Sequence, residues 1–288
     1  MLHKAKSFYS LTKPGVLYGN AITAAAGFLL ASRGHIDLWL FTTMFIGTTL
    51  VIASACVLNN FLDQDIDSVM DRTKKRAIVS GEVKGSHAVV FSIALGLLGI
   101  LILYRFTNLL VVVLGLIGFI VYVLFYGMLS KRLSIHGTLV GSVSGAIPIL
   151  AGYAAVTNSI DTGAILVFLA LFFWQMPEFY SIAIYRLKEY KKAGVPVMPV
   201  VKGVKSTIIQ IFIYTILFVA STLLLTYYDY TGKTYFVVMS LLGGYWLWIG
   251  AQGFDAKDPD KWARKMFRFS LIILLAYCLM ISIDWLLP

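Results

Sequence analysis

With 288 residues, 59% of them hydrophobic, only 13% charged and a mean hydropathy of +0.83, the chain carries more apolar sequence than a soluble globular protein can use. The apolar runs are continuous instead of alternating, which points to an all-α integral membrane protein and away from a β-barrel. The net charge of +10 is read as a loop-topology signal and calls for no nucleic-acid partner.

In chain order, the first fifteen residues (MLHKAKSFYSLTKPG) read as a short basic lead-in without a cleavable signal or transit peptide. Nine spans follow, at about 16–32, 38–58, 87–104, 109–129, 137–156, 163–184, 207–226, 234–253 and 267–287. Each is near the roughly 20 residues that carry a helix across a hydrocarbon core. Of the 24 Lys and Arg, 21 precede span 1 or follow an even-numbered span; only Arg33, Arg105 and Lys233 fall on the other side. The positive-inside bias then puts the N-terminus and the even-numbered loops in the cytoplasm of a bacterial plasma membrane. The two longest loops on that side, about 59–86 and 185–206, follow spans 2 and 6, a spacing that hints at a duplicated four-helix unit. The reading is one transmembrane domain over 1–288, with its chemistry at those loops. Cys56 and Cys278 both lie in apolar runs and supply neither a disulfide framework nor a metal site.

The stretch that closes span 2, NNFLDQDIDSVMDRTKKR from Asn59 to Arg76, sets four carboxylates (Asp63, Asp65, Asp67, Asp71) beside Arg72, Lys74, Lys75 and Arg76. If span 2 continues as a helix, residues four apart differ by about 40° around its axis. Asn59, Asp63 and Asp67 then form one stripe, with Asn60 and Asp71 at its edge and Asp65 on the opposite side. Oxygen ligands at this spacing suit Mg²⁺, which takes one or two carboxylates and completes its shell with phosphate oxygens and water. Arg72, Lys75 and Arg76 are placed to hold the phosphates. Together these groups would stabilise the charge that builds on a leaving diphosphate. The plain alternative is a solvated, salt-bridged helix end, which is the better description of Asp65.

The pattern Asn59-x-x-x-Asp63-x-x-x-Asp67 resembles the first aspartate-rich motif of the UbiA-type intramembrane prenyltransferases. The resemblance is closer to one branch, the protoheme IX farnesyltransferases, and runs along nearly the whole chain. It is carried by Leu11 to Gly15 (LTKPG), Asn59 to Asp67 (NNFLDQDID) with Asp71 to Arg76 (DRTKKR), and His136 to Pro148 (HGTLVGSVSGAIP). Further along it is carried by Trp174 to Tyr180 (WQMPEFY), Tyr185 to Tyr190 (YRLKEY), Gly194 to Gly203 (GVPVMPVVKG) and Trp262 to Ser270 (WARKMFRFS). The resemblance implies a nine-helix bundle, Mg²⁺ as cofactor, and farnesyl diphosphate and haem B as substrates. The implied product is haem O, handed on to haem A synthase or haem-copper oxidase assembly. Two departures stand out. After span 6, where many members of the superfamily carry a second DxxxD motif, this chain has Arg186, Lys188, Glu189 and Tyr190. The branch usually has His where this chain has Glu178.

Arg186 and Lys188 are expected on the diphosphate, facing the first loop, with Glu189 a second metal ligand or an orienting partner. The catalytic set is then Asp63, Asp67, Arg186, Lys188 and Glu189. Lys131 and Arg132, closing span 4, match the two propionates of haem or serve as a helix-end anchor. His136 is either a haem ligand or a hydrogen-bonding residue at a helix start. Glu178, beside Pro177 in an apolar run, is a cavity-wall group near the haem or a kink residue paired with a cation. Two other functions compete with this one: prenylation of an aromatic quinone precursor, and transport. Transport predicts charge at mid-membrane, and only Glu178 departs from the clustering of acids at the surfaces.

Overall fold

The computed structural model describes residues 2–288, with side chains from Lys4 onward; the His3 side chain lies outside that range. An N-terminal helix α1 (Leu2–Leu11) precedes span 1, α2 (Pro14–Ser32). Span 2 is α3 (Leu38–Leu62), followed by the short α4 (Gln64–Val69), and span 3 is α5 (Gly85–Phe106). Span 4 runs as α6 (Leu109–Ile120), a π-helical segment (Val121–Ser130) and a last turn α7 (Lys131–Leu133). Spans 5 and 6 are α8 (Gly137–Thr157) and α9 (Thr162–Tyr185). Two short helices, α10 (Leu187–Lys192) and α11 (Met198–Val201), bridge to span 7, α12 (Gly203–Tyr227). Spans 8 and 9 are α13 (Lys233–Ala251) and α14 (Pro259–Ile283). Nine helical stretches among the described residues are long and apolar enough to cross a membrane, the number read from the sequence.

Successive spans pack side by side, span 9 closes back on span 1, and the contacts of span 1 with span 5 and of span 6 with span 9 cross the middle. The crossing of spans 1 and 5 depends on two glycines. A β-carbon on Gly152 would sit 1.9 Å from the Ala24 carbonyl oxygen, and one on Gly27 would sit 2.0 Å from that of Ile149. Small residues let the two backbones touch, as membrane helices require when lipid supplies no hydrophobic force between them. Side chains then tie helix to backbone across the interior. Ser54 and Ser92 each donate to the other's carbonyl (2.7 and 2.9 Å), joining spans 2 and 3. Trp174 donates to the Ser270 carbonyl (2.8 Å) and Gln175 to that of Ser142 (3.1 Å).

Helix ends follow local rules. Asp37, Asn108, Asp161 and Asp258 accept backbone N–H bonds at the starts of α3, α6, α9 and α14. Three features differ from the sequence reading. The lead-in is itself a helix, and Phe8 packs edge-on against Phe91 of span 3 at 5.2 Å. Span 9 begins at Pro259, eight residues before the expected 267. Its first turns are amphipathic: Trp262, Ala263 and Met266 are buried while Lys261, Arg264 and Lys265 are exposed, and an apolar-run criterion stops at those charges. The lower half of span 4 is π-helical, a rare state in which each turn takes up an extra residue.

Candidate active site

The stripe read from the sequence is assembled, with a break in it. α3 ends at Leu62, Asp63 occupies the junction (φ −89°, ψ 8°), and α4 restarts at Gln64. The i to i+4 bonding survives the break: the Asp63 N–H donates to the Asn59 carbonyl (3.0 Å) and the Asp67 N–H to that of Asp63 (2.8 Å). Asn59, Asp63 and Asp67 therefore stay in register, and all three are buried, at 2%, 1% and 3% exposure. The edge positions do other things. Asn60 donates to the Leu11 carbonyl (2.7 Å) and fastens α1 to span 2. Asp71 is exposed and pairs with Lys74 at 2.6 Å.

Each residue of the stripe is held by its own cation, brought from a different element. Asp67 pairs with Arg76 from its own loop (2.5 Å). Asp63 pairs with Lys131 at the end of the π-helical segment (2.5 Å), with Arg132 further off at 3.9 Å. The Asn59 side-chain oxygen accepts from the Lys13 ammonium. Lys131 and Arg132, expected at haem propionates or as a topology anchor, are thus turned onto the aspartates. Arg132 grips Asp65 with two hydrogen bonds (2.5 and 2.8 Å) and donates to the Leu62 carbonyl at the end of α3 (2.7 Å). These bonds hold the Asp65 carboxyl down to about 2. The physical reason is proximity: the π-helical segment carries Lys131 and Arg132 to the point where α3 breaks, and buried carboxylates demand partners. Gly127 of that segment lies against Asn59, where a β-carbon would sit 3.3 Å from the amide nitrogen.

Lys13 is the residue that sequence reasoning missed. In the sequence it reads as one more cytoplasmic lysine, although it precedes Pro14 in the LTKPG motif. The structure gives it a left-handed backbone (φ 52°) that turns the chain from α1 into span 1 and drops the side chain into the site. Burial there, next to Arg76, pushes its ammonium down to about 8. Tyr122 and Tyr126, stacked at 5.7 Å on the π-helical segment, are partly buried in the same region, and nothing in their spacing marks them out.

The second loop meets the first through a small apolar cluster: Ile66 and Met70 with Val195, flanked by Tyr190, Ala193 and Val197. Arg186 donates to Glu189 at 2.7 Å, and the other Glu189 carboxyl oxygen is buried without a partner. Arg72, Lys75 and Lys188 are exposed, with no ion pair among the described residues. His136 is exposed at the N-cap of α8. Glu178 is partly buried in α9, and no cation pairs with it.

The oxygen set fits a hard cation only as a shared site. Among the described residues, no three His, Cys, Asp or Glu side chains gather into a metal cluster. Two carboxylates and one amide oxygen remain, and the second oxygen of Asp63 is buried without a hydrogen bond. A cation that keeps water and phosphate in its shell needs no more from the protein. Glu189, expected as a second metal ligand or an orienting partner, pairs with Arg186 through one carboxyl oxygen.

The profile of the UbiA prenyltransferase family matches residues 20–272. A protoheme IX farnesyltransferase 2 of Pseudomonas fluorescens is 45% identical over 98% of this chain and 96% of its own length. A protoheme IX farnesyltransferase of Yersinia pseudotuberculosis is 44% identical, covering 97% and 95%. Among solved structures, one from work on digeranylgeranylglyceryl phosphate synthase superposes with a TM-score of 0.82 at 20% identity, covering 98% of this chain and 99% of that one. A UbiA homologue from Archaeoglobus fulgidus bound to GPP and Mg²⁺ superposes with a TM-score of 0.71 at 16% identity, covering 96% and 99%.

Proposed function

The chain belongs to the UbiA prenyltransferase family, and from that premise we propose that it transfers the farnesyl group of farnesyl diphosphate to a vinyl group of haem B, with addition of water, giving haem O and diphosphate. That it is a multi-pass membrane prenyltransferase follows from the family and the nine apolar helices. The haem substrate is supported by the names of relatives at 44–45% identity along nearly the whole chain. The observation that carries the chemistry is the buried stripe Asn59, Asp63 and Asp67, each member held by a cation, at one end of an apolar bundle.

The stripe is the proposed Mg²⁺ site, and a divalent ion bound there with the diphosphate supplies positive charge to the leaving group. The remaining roles belong to the chain's own side chains. Arg72, Lys75, Arg76, Arg186 and Lys188 hold phosphate oxygens, and Lys13 and Lys131 stand close enough to join them by releasing Asn59 and Asp63. The apolar bundle holds the farnesyl chain and limits early quenching of the allylic cation by water. Haem B binds in the bundle beside this group. The stripe lies at the end that receives most of the Lys and Arg, which supports a cytoplasmic active site in a bacterial plasma membrane. Transfer of the product to haem A synthase or to oxidase assembly belongs to the same reading.

The test is mass spectrometry of haems after the protein in lipid is incubated with farnesyl diphosphate and haem B, with Mg²⁺ or with a chelator. The expected product is haem carrying one farnesyl group and one water, formed with Mg²⁺ and absent with chelator. Asp63→Ala and Asp67→Ala should each abolish it in protein that still inserts. Farnesyl transfer to a quinone precursor with no haem product would overturn the substrate assignment, and full turnover in both Ala variants would overturn the metal assignment.

A further inference from the structure

The groups placed so far act on the diphosphate, and none of them serves the last bond change, the addition of water. One polar group in the interior of the bundle has no part in that machinery. Glu178 lies in α9, eight residues before Arg186 and so about 12 Å along the helix from it. Its direction follows from its neighbours. Trp174 reaches span 9, donating to the Ser270 carbonyl, and Gln175 reaches span 5, donating to the Ser142 carbonyl. At about 100° per residue, Glu178 falls between them, about 40° from Trp174 and about 60° from Gln175. The side chain therefore points into the wedge between spans 5 and 9, on the inner side of α9.

Glu178 is partly buried, and its carboxyl has neither hydrogen bond nor ion pair among the described residues. One turn further on, the Ser181 hydroxyl is fully buried and has no hydrogen-bond partner. Just before Glu178 the backbone is also short of a donor, since Pro177 has no N–H to give to the Phe173 carbonyl. Unpaired polar groups in a membrane-spanning helix cost free energy and are rarely kept without a task. A carboxylate is costly in an apolar bundle, but that cost is offset when a cation forms beside it, an interaction specific to the reaction.

We propose that Glu178 is the catalytic base of the hydration step, with Ser181 helping to hold the attacking water. The proposal rests on the haem reading above. The C1–O bond of farnesyl diphosphate breaks and the diphosphate leaves with the electron pair. The π pair of the haem vinyl group forms the new C–C bond to C1, which leaves a cation on the vinyl carbon attached to the macrocycle. The water oxygen closes on that carbon, and its proton passes to the Glu178 carboxylate. The products are an alcohol, diphosphate and one proton, later released from the neutral carboxyl group. Without a base at this position to take the proton of water, the same cation gives up a proton of its neighbouring CH₂ to the departed diphosphate and becomes an alkene.

The experiment compares wild type, Glu178→Gln, Glu178→Asp and Glu178→His in lipid, with farnesyl diphosphate, haem B and Mg²⁺. Mass spectrometry reads the share of farnesylated haem that carries the added water, and size-exclusion chromatography confirms that each variant is folded. The hydrated share is expected to fall about a hundred-fold in Glu178→Gln, with the dehydrated alkene in its place. Glu178→Asp and Glu178→His keep a proton acceptor and should retain the alcohol. An unchanged hydrated share in Glu178→Gln would overturn the proposal. So would equal loss of all adduct in the three folded variants, which assigns Glu178 to packing. Wild type that makes no farnesylated haem at all would instead sink the haem reading on which the proposal stands.

Discussion

At the scale of the residue, the site is a set of buried carboxylates neutralised by partly buried cations. Lys131 is the partner of Asp63, and the next cation, on Arg132, is 3.9 Å away. Lys131→Met leaves a carboxylate at 1% exposure nearly unpaired. Breaking a buried pair on one side costs about 3–5 kcal/mol. The loss should appear in chemical unfolding in micelles, and adding Asp63→Asn should recover most of it. A double variant no more stable than Lys131→Met alone would show that the pair is not what stabilises this corner. Asn59, Asp63 and Asp67 were legible because a polar stripe at four-residue spacing on an apolar helix is costly in a bilayer unless something binds it. Their cations were not legible, since a lysine that obeys the positive-inside rule gives no sign in the sequence of whether it ends in water or, like Lys13, in the site.

At the scale of the element, nine spans were readable because membrane thickness imposes a length and the apolar runs satisfy it. The start of α14 was not, because its amphipathic first turns look like a loop to any test based on continuous apolarity. The π-helical Val121–Ser130 was hidden for a different reason. Its hydrophobic pattern is compatible with an α-helix, and nothing in its residue order marks the wider winding. The glycines of the spans carry unequal weight. The structure separates them sharply. Gly27→Ala and Gly152→Ala push a methyl group into a backbone carbonyl, whereas a β-carbon on Gly19 meets nothing within 4 Å. Each of the first two should lower stability by about 1–3 kcal/mol or more, while Gly19→Ala should match wild type. Thermal unfolding followed by monodispersity checks this, and equal behaviour of all three would remove the span 1–span 5 crossing from the account.

At the scale of the molecule, the charge asymmetry predicts orientation, and the two cysteines make that prediction easy to read. Cys56 and Cys278 are both buried, so a membrane-impermeant thiol reagent has no native target. In intact cells it should label Ser159→Cys, in the loop between spans 5 and 6, and spare Ser80→Cys, in the first loop, until the membrane is opened; the reverse pattern would invert the topology. The same scale gives meaning to the contact of Ile66 and Met70 with Val195. The first loop hangs from span 2 and the second from span 6, so this patch ties those two parts of the chain together like a sprung latch. Three buried side chains give a fastening of only a few kcal/mol. Such a fastening holds against thermal noise most of the time and still opens within a turnover. On the haem chemistry proposed above, a rigid product that leaves between the two loops waits on this latch, so softening Val195 should change the tempo of release more than the chemistry.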